Sequence, residues 1–133
     1  MQQSSTPNFY SLTIATMEMI DRQTAQHYSW GDGCDGWHLV QTPTLSVIEE
    51  RMPPGTSEVR HYHQNSTQFF YVLVGTLSVE ISGEEFALTA GQGVQIAAGK
   101  AHRIRNQSLV DIKFLVVSNP PSHGDRVIAE MGA

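Results

Sequence analysis

The sequence predicts an all-β protein, a jelly-roll barrel built as one domain. Three observations predict it. From Trp37 onward, short runs rich in Val, Ile, Leu and Phe recur between Gly, Pro and Asn punctuation. These runs are short, evenly spaced and have the length of strands. The chain of 133 residues, 40% hydrophobic and 16% charged, fits a single packed domain and excludes a disordered chain.

The elements follow in order. Met1–Asn8 reads as a loose polar tail, and Asp21–Tyr28 reads as one short helix. Strands are expected near Trp37–Gln41, Leu45–Met52, Ser57–His63, Gln68–Leu73, Thr76–Ile81, Glu84–Leu88, Gly93–Ile96, His102–Asn106 and Ile112–Ser118. Ser82-Gly83 lies between two of them and predicts a tight hairpin turn. Ser122–Met131 is expected to close as a short helix. The expected organisation is an N-terminal arm or lid over 1–36, a barrel over 37–120 and a C-terminal tail over 121–133.

Charge and composition narrow the function. The formal net charge is −5, against the basic character of a non-specific nucleic-acid binder. No secretory signal or membrane-length apolar run is present, so a soluble, cytoplasmic protein without nucleic-acid or membrane partners is expected. The single cysteine, Cys34, cannot form an internal disulfide and reads as a small buried residue.

Histidines carry the chemistry. His61 and His63 are one residue apart, so on a strand both imidazoles share a face. Gln68 opens the next strand and offers an amide oxygen. His102 opens a distant strand that barrel closure can bring opposite the pair. Such nitrogen and oxygen donors suit one divalent transition metal (Fe, Ni, Mn, Co, Zn or Cu) better than Ca or Mg. The plain alternatives are two surface histidines, and a Gln68 that hydrogen-bonds to a ligand without touching metal. Glu49 and Glu50 are neighbours on a strand, so one of them points inward, where a carboxylate serves as a general base. Parity places Phe70, Val72, Val74, Ile104 and Asn106 inward, and Arg60, Tyr62, Arg103 and Arg105 outward. His123 reads as surface. The span His27–His38 packs Trp30, Trp37, Cys34 and three glycines before the barrel. It reads either as a lid over the barrel mouth or as a docked structural arm.

Two spaced motifs give a resemblance. Gly55, His61, His63 and Gly75 stand at the spacing of the first cupin signature, with Gln68 where Glu is usual. Gly91, Gly99, His102 and Asn106 match the second, with Ala97 where Pro is usual. The chain thus resembles the cupin family over Gly55–Asn106. The resemblance implies a double-stranded β-barrel around a metal held by His61, His63, His102 and Gln68, and a homodimer is common among such proteins. Gln at the Glu position is similar to small cupins that open the ring of unsaturated uronate sugars. A neutral Gln68 leaves a divalent ion its full charge, which favours an anionic substrate oxygen. The expected function is metal-dependent chemistry on a small polar or anionic molecule, carbohydrate- or uronate-like, of isomerase, ring-opening or lyase type. An Fe(II)-dependent dioxygenase and a non-enzymatic small-molecule or metal-binding module are the alternatives.

Overall fold

A computed structural model describes residues 19–131. Its strands are β1 (Gln26–Trp30), β2 (Cys34–Gln41), β3 (Ser46–Met52), β4 (His61–His63), β5 (Thr67–Val74), β6 (Thr76–Ile81), β7 (Glu84–Thr89), β8 (Gly93–Ile96), β9 (His102–Arg105), β10 (Ile112–Asn119) and β11 (Arg126–Ile128). They form a six-stranded sheet, β1-β2-β3-β10-β5-β8, facing a five-stranded sheet, β11-β4-β9-β6-β7. Every strand pair is antiparallel, as a jelly roll requires. The tail expected over Met1–Asn8 lies outside the described residues. No helix among the described residues is long and apolar enough to cross a membrane.

Two expected helices are corrected. Asp21–Tyr28 is a capped turn running into β1. The Asp21 carboxylate accepts the Gln23 and Thr24 N–H groups, which ends the turn locally. From Gln26 the backbone pairs with β2, with His27 opposite Trp37. The span His27–His38 is therefore largely a hairpin at the sheet edge. Ser122–Met131 is likewise not helical among its described residues: Asp125 caps a turn, and Arg126–Ile128 pairs with β4. Ladder bonds to an existing strand outcompete the weak local preference of a short helix.

Turn chemistry explains the closures. Ser82 and Gly83 both have positive φ, 51° and 91°, and link Ile81 to its partner Glu84. That is the two-residue turn whose twist matches paired strands. Gly75 has φ +90°, and a Cβ there would lie 2.6 Å from Ile112 Cγ2. Asn106 fastens the far loop. Its amide nitrogen donates to the Met52 and Val110 carbonyls, and its oxygen accepts the Ser108 N–H.

The inward register changes character along each strand. Val72, Leu77, Val79, Ile112, Phe114 and Met52 are fully buried at one end of the barrel. Toward the other end the same faces carry Glu50 on β3, Gln68 on β5 and Ser118 on β10, which line a cavity. Val74, expected inward, is instead 50% exposed, because a register shift at Lys113/Phe114 turns the end of β5 out of the barrel. Arg60, expected to point outward, is buried under residues 129–130. It donates to Glu80 at 2.8 Å and to the Glu130 carbonyl. Arg60 holds the Glu80 carboxyl below the usual carboxylate range.

Removing one partner of this buried pair leaves a charge without compensation. Glu80→Ala is expected to destabilise the fold by about 3–5 kcal/mol in urea denaturation, whereas Arg60→Met with Glu80→Leu costs less. A single variant within about 1 kcal/mol of the parent would contradict this reading of the pair.

Candidate metal centre and cavity

β4 and β9 meet with His61 opposite His102, so register alone brings two of the imidazoles together. His63 shares the inward face of His61, while Tyr62 between them points away. The ligating atoms of His61, His63 and His102 lie within 4.8 Å of one another, and all three residues are buried. Ring centroids are 4.6 Å apart for His61 and His102, and 4.8 Å for His61 and His63.

The second nitrogen of each ring has a partner. His61 Nδ1 lies 2.7 Å from the Val59 carbonyl, and His102 Nδ1 lies 3.0 Å from the Lys100 carbonyl. His63 Nδ1 lies 2.7 Å from Asp125 Oδ1. A carbonyl or carboxylate can only accept, so each Nδ1 carries a proton, and in the neutral ring Nε2 keeps its lone pair. Burial pushes the His61 imidazole down to about 4, and burial likewise lowers His102. The Nε2 atoms of the three rings converge on one point, and burial favours the neutral, lone-pair-bearing form of His61 and His102.

Two buried atoms lack any partner there. His102 Nε2 is one, and Gln68 Oε1 is the other. The Gln68 Nε2 donates to Ser118 Oγ at 3.1 Å, which fixes the amide with its oxygen free. Gln68 comes from the sheet opposite β4 rather than from a strand beside it. Orphaned acceptors of this kind are costly in a protein interior. Convergent imidazole nitrogens and an amide oxygen fit a divalent transition ion, which would satisfy them.

The cavity holds about 800 Å³ and is lined by His61, His63 and Gln68, with Tyr28, Trp30, His38 and Glu50 on its opposite wall. Of the two candidate glutamates, Glu50 points in and Glu49 points out, 3.6 Å from Arg22. Tyr28 O–H donates to Glu50 Oε2 at 2.6 Å. Burial pushes the Glu50 carboxyl up to about 7, against the Tyr28 hydrogen bond. Burial, then the Glu50 charge, raises the Tyr28 hydroxyl as well. Gly36 makes this contact possible, because a methyl there would overlap the Tyr28 ring.

Several cavity residues escape sequence reasoning. Glu58 lines the cavity, its carboxyl pushed up to about 8 by burial and then by Glu50. Its place three residues before His61 was the available signal. Asp125 was hidden within the expected helix. Burial pushes its carboxyl up, but the Asn65 amide, His63 and the Ser66 amide together hold it below the usual range. His123 is exposed, as expected, and also lines the cavity.

A β-barrel whose interior gathers imidazoles at one end defines a class of metal-ligating jelly rolls. This chain belongs to the cupin family: the family model described as Cupin domain matches residues 48–118. Among curated proteins it is 46% identical over 55 residues to the polyketide synthase CurC of Streptomyces cyaneus, covering 41% of this chain and 36% of that protein. Among solved structures, KdgF from Halomonas sp. superposes with a TM-score of 0.73 at 19% identity, covering 80% of this chain and 96% of that one. The polyketide cyclase RemF from Streptomyces resistomycificus gives a TM-score of 0.73 at 18% identity, covering 86% and 89%. These structural likenesses show the fold.

Partners that orient metal-ligating histidines typically change affinity when lost. Asp125→Ala is expected to weaken retention of a divalent transition metal roughly 10- to 100-fold in chelator competition. Unchanged retention would show that His63 needs no such anchor.

Proposed function

We propose that this chain is a metal-dependent cupin enzyme acting on a small oxygen-bearing molecule, by isomerisation, ring opening or elimination. One observation carries the reading. Three buried imidazoles converge on one point, and two of them, His61 and His63, line a cavity with a carboxyl poised near neutrality. A divalent ion bound there would polarise substrate oxygens and acidify a neighbouring C–H.

The chain's own groups would do the rest. His61, His63 and His102 hold the ion, with Gln68 Oε1 as a fourth donor. Glu50 takes the released proton and returns it at another carbon or at a leaving oxygen. Tyr28 steadies the charged carboxylate through its O–H. The half-buried Trp30 and the buried Phe70 exclude water from one side of the substrate. Similarity to the polyketide synthase CurC supports a substrate that bears carbonyl or hydroxyl oxygen.

Metal analysis of protein purified without chelator, with turnover of candidate substrates in D2O, tests this function. The expected results are a bound transition metal and solvent deuterium in the product. Iron with substrate-dependent O2 uptake would favour the dioxygenase alternative. A retained ligand with no turnover would favour a binding module.

His61→Ala and His102→Ala are expected to lose the metal, and Gln68→Ala to lose less, as read by metal content. Glu50→Gln keeps the metal and abolishes deuterium incorporation. In metal-free protein the Glu50 carboxyl titrates near 7, and Tyr28→Phe moves it higher, because the lost O–H stabilised the anion. NMR of the labelled carboxyl reads this directly. The sign for stability follows. Because the folded value exceeds the ordinary 4.5, stability from Glu50 is full below that value and is lost as pH rises toward 7.

A further inference from the structure

The cavity wall holds a cation with no partner. Arg126 is the one Lys or Arg among the described lining residues. In the β11–β4 ladder it stands directly opposite His63. Opposed residues of an antiparallel pair raise their side chains on the same face, about 5 Å apart at Cβ. Arg126 therefore stands beside a candidate ligand and on the inward face, while Val127 takes the outward one.

No acidic group forms an ion pair with it, although its charge is felt by the Glu58 carboxyl across the cavity. None of the ion pairs among the described residues includes Arg126. The neighbouring Asp125 spends its oxygens on His63, Asn65 and Ser66. Glu58 accepts the Ile104 N–H instead. Arg126 is exposed, yet its backbone is fixed by the β4 register and its side chain lines the cavity. A guanidinium in that position offers a planar fork of donors matched to a carboxylate.

We propose that Arg126 is a specificity-determining residue that binds a substrate carboxylate while another oxygen of the same molecule reaches the His61–His63–His102 centre. The substrate class is then the hydroxy- or oxo-carboxylates. The inference rests on the metal-centre reading above. It deepens that reading by adding a second anchoring point on the chain's own surface. Two anchors also fix which carbon lies toward Glu50, so that the same contact that selects the molecule orients it.

Mandelate and mandelamide test the inference. They share a hydroxyl and a ring and differ in charge. Each is titrated by calorimetry into protein loaded with Co(II), with metal content measured in parallel. Arg126→Gln is expected to weaken mandelate about tenfold and to leave mandelamide within about twofold, with metal content unchanged. Arg126→Lys keeps the charge but loses the planar fork, and is expected to bind mandelate more weakly than the parent and more tightly than Arg126→Gln. A change in mandelate affinity below about twofold in Arg126→Gln, an equal loss for both ligands, or no mandelate binding by the parent would overturn the Arg126 assignment. Parent protein that takes up no Co(II) would instead overturn the metal reading on which the assignment rests.

Discussion

The site depends on three Nδ1–H groups, two held by carbonyls two residues back in the chain and the third by a carboxylate from the turn before β11. The Val59 and Lys100 carbonyls hold His61 and His102, and the Asp125 carboxylate holds His63. These contacts choose the tautomer, and the tautomer decides whether lone pairs or protons face the cavity. If any ring turned over, its Nδ1 acceptor would lose its donor and an N–H would stand where the site needs a lone pair. The barrel end stays polar because its acceptors are aimed and its protons are spent elsewhere.

That arrangement depends on the two sheets having different contents at their two ends. Ile112, Phe114, Val72 and Met52 fill one end without polar atoms. Their continuations along the same strands are Ser118, Gln68 and Glu50. Apolar burial at one end supports a cavity at the other, which by itself contributes little to stability. The Glu50 carboxyl records the cost: burial raises it, and the Tyr28 hydroxyl only partly offsets this. The polar wall is built from β1, β2 and β3 and faces imidazoles from β4 and β9, so the cavity spans both sheets.

Much of this was legible in the sequence. Histidines one residue apart on a strand had to share a face, and two glycine-spaced motifs placed His102 across from them. Ser82-Gly83 announced its hairpin, and the parity of Phe70, Val72, Ile104 and Asn106 held. What failed was whatever depended on pairing at a distance. Asp21–Tyr28 and Ser122–Met131 are too short for local preference to decide them, and sheet edges at β2 and β4 captured their ends. Asp125, Arg126 and His123 were missed for that reason, since a helix would have scattered them. The burial of Arg60 was not legible, because its cover by residues 129–130 lay within the expected helix. Glu49 and Glu50 needed the register of β3 against β10 before one could be placed inside.

The central claim is that this barrel end is a three-imidazole metal site. X-ray absorption on protein purified without chelator tests it most directly. The account predicts one transition ion per chain with three imidazole nitrogens at about 2.0–2.1 Å and the remaining positions filled by oxygen. Protein free of metal after incubation with the divalent series, or an ion whose inner sphere lacks imidazole, would contradict it.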